Sequence, residues 1–372
     1  MIQVKGTFAE ISGVRGGPWV TRNMAGGGLN TYHQALDALD AGGSGIRNIV
    51  LLSASDGEGY SADETVPINN LVKGFAGLLN SAHARRYQDT GLGFIHAGAL
   101  EYGGGPWTYD SYWQWYSGGY GIAGTNMYAA TAGAKATFAF HGTGVTLVCA
   151  SGSSTGAFTA KIDGVDKGSF NTYSVPLYGA RAFVIAAAGT LTDSDHVLEI
   201  TTSSTAIILI VGAYALTNAT RGVRLIRGCQ AGAPVQQFVW SEQILYAEID
   251  VWNPALTIIA IIANDVAAGT AVSTFKTHTQ TLITRAKTFG SVLLYADWPR
   301  PDKAATAGDA YVVALQELSD TNNIPLIDMM TPYKGQLVTL GYVAGDNIHP
   351  NAAGHQLLYR PLAQSLLGAI TL

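Results

Sequence analysis

The sequence predicts an α/β protein, a doubly wound parallel sheet interrupted by an inserted all-β sandwich of jelly-roll type. Three observations predict it. Short continuous apolar runs such as Ile49–Leu52 and Val292–Ala296 alternate with helix-period segments near both ends of the chain. From about Tyr102 to Tyr214 that helical period almost vanishes, and short β-type segments follow one another across turn signals. After Arg221 the alternation resumes. Residues 1–100 therefore read as an N-terminal segment plus the first part of the α/β domain, 101–221 as the insertion and 222–372 as the second part.

The elements follow in order. Residues 1–30 are Gly-rich and short-stranded, with alternation at Ile2, Val4 and Phe8. The run from Asn30 to Ala41 reads as a helix capped by Asn30 or Thr31 and stopped by Gly42-Gly43. Ile49–Leu52 is a strand buried on both faces. The stretch from Asn69 to Arg86 is helical, with Leu71, Val72, Phe75, Leu78 and Leu79 at three- and four-residue steps. Six β segments fill the insertion, at Ala136–Phe140, Val145–Ala150, Ala157–Ile162, Ala182–Ala187, His196–Thr201 and Ala206–Ala213. Then strands at Val223–Ile226, Leu256–Ile262, Val292–Ala296 and Pro325–Asp328 alternate with helices at Val235–Ala247, Thr274–Thr288, Asp309–Asn322 and Asn351–Leu367.

Composition narrows the function classes. The net charge is -5, with no basic cluster to displace counterions, which argues against nucleic acid as a partner. Only 13% of residues are charged and 45 are Gly, a texture closer to secreted or virion-surface proteins than to cytosolic enzymes. The expected setting is extracellular or virion-associated, although no signal-peptide pattern opens the chain. Ala206–Val211 is too short to span a bilayer, so a soluble protein without membrane insertion is expected. Cys149 and Cys229 make no disulfide framework and read as small buried hydrophobes.

The chemistry is carried by Asp346-Asn347-Ile348-His349-Pro350. An Asp three residues before a His can orient one imidazole nitrogen and leave the other to take a proton from a serine. A serine stands where such a nucleophile belongs, at the end of the Ile49–Leu52 strand, in Ser53-Ala54-Ser55-Asp56-Gly57-Glu58-Gly59. Ser55 is the better candidate because Gly59 follows it at +4. Ser53 also has a Gly at +4, but Leu51-Leu52 precede it where small or polar residues are expected. Each residue also has a plainer reading: Ser55 as a turn or capping residue, Asn264-Asp265 as a turn after a strand, Asp346 and His349 as a chance pair.

At these residues the chain resembles the SGNH/GDSL hydrolase family. In that family a GDSxxxG turn carries the nucleophile, a Gly after the second strand and the Asn of GxND donate to the oxyanion, and DxxH supplies Asp and His. The matching stretches are Ser53-Ala54-Ser55 with Gly59, then Gly232, then Ile262-Ala263-Asn264-Asp265, then Asp346 to His349, in the family's order. The neighbouring Gly228 is an alternative register for Gly232. The N-terminal half also looks like SGNH domains of bacteriophage tail proteins, with a Gly-aromatic segment at Gly91-Leu92-Gly93-Phe94 and a jelly-roll insertion like carbohydrate-binding modules. The departures are Ser53-Ala54 for Gly-Asp, Ile262 for the Gly of GxND, and Ala233-Pro234 where Thr or Ser is usual. They are structural neighbours of the proton-transfer set and leave the triad reading intact, bearing instead on rate and substrate shape.

The resemblance implies a serine esterase with Ser55, His349 and Asp346 as triad, and with Ser55 N–H, Gly232 N–H and the Asn264 amide as oxyanion hole. No metal or organic cofactor is needed. The substrate it implies is an O-acylated, in particular O-acetylated, carbohydrate or a small ester. A general carboxylesterase or lipase stays open, as does a glycan-binding virion module with a decayed site. A homo-oligomer is compatible with all three.

The insertion opens with Trp107, Tyr109, Tyr112, Trp113, Trp115, Tyr116 and Tyr120. Trp113 and Trp115 would share one strand face. They either stack on sugar or seal the insertion against the α/β domain. Trp298, in Trp298-Pro299-Arg300-Pro301, is a further candidate substrate contact, and Arg300 is either an anion contact or an ordinary surface residue. His141, His196, Asp163, Asp166, Asp193 and Asp195 read as solvated turn residues in preference to a calcium site.

Overall fold

The computed structural model describes residues 19–25, 27–63, 72–100, 106–116, 121–122, 125–175, 179–239 and 249–368. The readings at Ile2, Val4 and Phe8, at residues 69–71, at Tyr120 and at residues 240–247 lie outside them. In chain order the strands are β1 (Val20–Arg22), β2 (Gly45–Ser53), β3 (Phe94–His96), β4 (Trp107–Tyr109), β5 (Gln114–Tyr116), β6 (Asn126–Ala129), β7 (Lys135–Gly142), β8 (Gly144–Ser151) and β9 (Ala157–Ile162). They continue with β10 (Val165–Asn171), β11 (Gly179–Ala186), β12 (Ser194–Thr202), β13 (Ile208–Leu216), β14 (Arg221–Cys229), β15 (Leu256–Ala260), β16 (Ser291–Ala296) and β17 (Leu326–Asp328). The α-helices are α1 (Asn30–Asp40), α2 (Ser55–Glu58), α3 (Phe75–Arg86), α4 (Val235–Val239), α5 (Ala263–Ala268), α6 (Val272–Ala286), α7 (Asp309–Asn322), α8 (Met330–Tyr333) and α9 (Ala352–Leu367).

The apolar run of β2 explains its place. Val50 and Leu52 enter one core cluster, with α4, α6 and α7. Ile49 and Leu51 enter the opposite one, with α1, α3 and α9. A strand buried on both faces belongs in the middle of a parallel sheet, and β2 pairs in parallel with β14 on one side and β15 on the other. Emptying one of these positions, as in Leu51→Ala, removes about 2–5 kcal/mol of stability.

Among the described residues the large sheet runs β1-β17-β16-β15-β2-β14-β3-β13-β6-β5, with β8 and β11 continuing from β13. The parallel part ends at β3. There β13 attaches antiparallel, Gly212 opposite His96. The β-rich segment is thus built onto the parallel sheet through shared hydrogen bonds. A second, antiparallel sheet of order β10-β9-β12-β7-β4 faces it. Phe138, Phe158, Leu198 and Ile200 from this sheet meet Leu147, Phe183 and Ile210 from the other in a third core, the arrangement of a β-sandwich.

Two local readings need correcting. Helix α1 starts after Leu29 and has no side-chain cap, so Asn30 and Thr31 do not serve as expected. Its stop is as read, with Gly42 at φ +90° and the Gly43 N–H bonded to Ala38 O. Asn264-Asp265 is no isolated turn but the first turn of α5.

Candidate active site

The Ser55 turn is shaped by its neighbours. After β2 ends at Ser53, Ser55 opens the four-residue helix α2, which Gly59 closes at φ +81°, a conformation that favours Gly. Gly57 has no room for a side chain, since a Cβ there would lie 2.5 Å from Ser53 Cβ and 2.6 Å from Cys229 Sγ. The turn is therefore pressed against the ends of β2 and β14. Ser53 lies under Gly57, fully buried, which removes it as a rival nucleophile. Ser55 Oγ instead stands 3.0 Å from His349 Nε2.

His349 is held from several sides. Asp346 Oδ2 lies 2.6 Å from His349 Nδ1, while Oδ1 accepts from the backbone N–H of Ile348 and His349 at 2.9 and 3.0 Å. An acceptor at Nδ1 places the imidazole proton there, so Nε2 is the free base facing Ser55. Partial burial by itself would raise the Asp346 carboxyl, but the hydrogen bonds from His349 and the two amides hold it below its ordinary value. Asn347 turns the loop at φ +57°. Asn351 Oδ1 caps α9 by accepting from Gly354 N.

Tyr60 and His355, not singled out from sequence, complete the support together with Trp298. The Tyr60 ring lies on the His349 imidazole, centroids 4.2 Å apart. His355 fixes the Tyr60 backbone: its Nδ1 accepts from Phe75 N–H at 3.3 Å, so its Nε2–H donates to Tyr60 O at 2.9 Å. Burial pushes His355 down to about 4, so this second histidine is a neutral staple. Trp298 is 1% exposed, and its Nε1–H donates to Ile348 O at 2.9 Å.

Gly232 lies past the end of β14 at φ +75°. Gly228 is paired inside that strand opposite Leu52, so Gly232 is the loop residue of the two. Three side chains grip this loop. Glu58 Oε1 accepts from Ala231 N at 2.9 Å, Asn264 Nδ2 donates to Ala233 O at 3.2 Å, and Asp265 Oδ2 accepts from Val235 N at 2.7 Å. Of these, only Asn264 was expected at the site. Glu58 and Asp265 each sit beside a residue of the motif, and that adjacency was their only signal.

Asp56, next to Ser55 in the chain, and Asp297 are two buried carboxyls. Burial raises Asp56 to about 6, against the opposing pull of His349 and Arg300. Asp297 is pushed well above its ordinary value, by burial first and by the Asp56 charge second. Arg300 is held by Asp302 through two bonds of 2.7 and 2.8 Å.

The aromatic candidates fall elsewhere. Trp113 and Trp115 do share a face, but it is the face packed on the sandwich core. Trp113 is 6% exposed and Trp298 1%, so neither offers a ring face to a sugar. The polar cluster on the sandwich is spent locally: His196 on Asp163, His141 on Asp193 and Asp195, Asp166 on the Gly168 amide. Among the described residues no three His, Cys, Asp or Glu gather to hold a metal. Both cysteines are buried and free, and burial raises their thiols.

Residues 212–357 match the model of the GDSL-like lipase/acylhydrolase family. The match takes in Gly232, Asn264, Asp346 and His349 and begins after Ser55. A peptidoglycan O-acetylesterase structure is 13% identical, with 94% of this chain and 98% of that chain covered and a TM-score of 0.66, so the two share a fold. A lipase/acylhydrolase from Enterococcus faecalis aligns at 22% identity over 39% of this chain and 76% of that one, TM-score 0.34. An acetyl xylan esterase from Geobacillus stearothermophilus aligns at 17% over 41% and 76%, TM-score 0.34. No curated protein matches the chain.

Proposed function

We propose that this protein is a serine esterase that removes O-acetyl groups from a carbohydrate. The observation that carries the proposal is the continuous line Asp346–His349–Ser55, with 2.6 and 3.0 Å between its members and a single imidazole tautomer that satisfies both. Ser55 Oγ attacks the ester carbonyl as its proton passes to His349 Nε2. That proton then goes to the departing sugar oxygen, leaving an acetyl-serine that water cleaves by the same route. The imidazolium formed in between is stabilised by Asp346. The oxyanion is met by the Ser55 and Gly232 amides and the Asn264 side chain.

The acylhydrolase family of residues 212–357 supports the reaction class. The sugar rests on the β-sandwich joined to the catalytic sheet, which is an argument from architecture. An extracellular or virion-surface setting, drawn from the low charge and the 45 glycines, belongs to the same proposal.

The test is hydrolysis of 4-nitrophenyl acetate, butyrate and octanoate by the parent and by Ser55→Ala. Acetate activity that disappears in the variant is expected. Greatest activity on octanoate would move the reading to a lipase, and equal rates in both proteins would make Ser55 a turn residue.

A further inference from the structure

We propose that Gln114, Tyr116 and Tyr128, on the outer face of the β5–β6 pair, form a saccharide-binding subsite for the glycan that carries the scissile ester. The inference rests on the esterase reading above and adds a place and a contact set for the sugar.

Strand parity selects the residues. In β5 and β6, Gln114 stands opposite Tyr128, Trp115 opposite Met127, and Tyr116 opposite Asn126. Trp115 and Met127 turn into the sandwich core. Their neighbours must then face the other way. Tyr116 is 37% exposed and Gln114 is exposed as well. Tyr128 is half-buried at the margin of the cluster that contains Val235 and Phe238 of α4. The trio therefore shares its sheet face with α4, the helix that follows the Gly232 loop directly.

Register sets the height. Strands β2 and β14 end together at Ser53 and Cys229. Strand β3 runs parallel to β14, Phe94 opposite Ile226, and β13 runs back along β3 with Gly212 opposite His96. Tyr128 faces Leu209, which lies beyond the end of β3. The trio thus stands at the catalytic end of the sheet. A direct bond ties it there: Thr125 Oγ1, just before β6, donates to Gln230 Oε1 at 3.0 Å, and Gln230 leads into the Gly232 loop. In the order β14-β3-β13-β6, with strands about 4.8 Å apart, β6 is roughly 14 Å from β14. That is too far for the acyl group and suits sugar units further along a chain.

The chemistry suits a neutral sugar. Tyr128 Oη–H donates to Gln114 Oε1 at 2.8 Å, which orients the amide and leaves its two N–H donors for hydroxyls. The Tyr116 and Tyr128 rings meet edge to face at 5.5 Å, so an apolar ring surface lies beside polar tips. None of the three is charged.

The experiment compares kcat/KM on chemically O-acetylated cello-, xylo- and chitohexaose with that on 4-nitrophenyl acetate, for the parent, Tyr116→Ala, Gln114→Ala and Tyr116→Phe. In both alanine variants the saccharide-to-small-ester ratio should fall at least roughly tenfold, the scale of one lost pocket contact. Tyr116→Phe should keep it. A parent that deacetylates the hexasaccharides while both alanine variants keep its ratio overturns the subsite and leaves the esterase reading standing. A parent active on 4-nitrophenyl acetate but on no hexasaccharide overturns the carbohydrate reading, and the subsite with it.

Discussion

The Trp298 indole donates to the Ile348 carbonyl at 2.9 Å, one residue before His349, with its ring 1% exposed. This single bond ties the Asp346–His349 loop to the end of β16. Trp298→Phe keeps most of the packing and removes the donor. The expected loss of stability is about 1 kcal/mol, the net worth of one hydrogen bond. Turnover should fall about tenfold with KM little changed, because misplacing a base acts on the reaction step. A rise in KM at constant kcat would return Trp298 to the role of substrate contact.

Asn264 donates from Nδ2 to Ala233 O at 3.2 Å, which places its amide against the Gly232 loop. Asn264→Ala should lower kcat about 10² to 10³-fold, the usual cost of one oxyanion donor. Asn264→Asp, similar in shape but an acceptor, should lose at least as much. If either variant changed KM alone, the amide would be a ground-state contact.

These positions show what the chain disclosed before it was folded. The strands of the parallel sheet and the helices over them were legible because burial on both faces leaves long apolar runs, as in β2, and one-sided burial leaves a helical period, as in α7. Ser55, Asn264, Asp346 and His349 stood out because motif order is a property of sequence. Strands β3, β4, β5 and β6 went unread. Each is three or four residues long, too short to display alternation. That gap also put Trp113 and Trp115 forward as sugar contacts, since parity identifies a shared face but not which face is inside. Trp298, Glu58, Asp265 and His355 act through long-range bonds that no local spacing encodes.

Asp56 follows Ser55 and is buried, and burial raises its carboxyl from 3.8 to about 6. A raised carboxyl binds its proton more tightly in the folded state. Its contribution to stability is complete below pH 3.8 and is lost as pH rises through about 6. Asp56→Asn, neutral at every pH, should therefore show a higher urea midpoint than the parent above pH 6, with the difference closing toward pH 3.8. A constant difference at all pH values would mean that the substitution acts through packing and not through the proton.

The sandwich holds a pair of opposite sense. His196 Nδ1 lies 2.6 Å from Asp163 Oδ2 and Nε2 lies 2.9 Å from Thr192 O. Both ring nitrogens face acceptors, which favours the imidazolium. The hydrogen bond to Asp163 and then that to Thr192 raise His196 above 6.5, with the charge of Asp195 adding to them. The bond from His196 likewise lowers Asp163 below 3.8. The His196 contribution is complete below pH 6.5 and is lost as pH rises through its raised value. The Asp163 contribution is present above pH 3.8 and is lost as pH falls through its lowered value. Asp163 is half exposed, so solvent keeps the effect small. Thermal melts of the parent and His196→Gln should converge as pH rises from about 6.5, the parent losing the advantage it holds at lower pH. Melting temperatures that stay in parallel from acid to alkali would show that the pair is a neutral staple and carries no proton-linked stability.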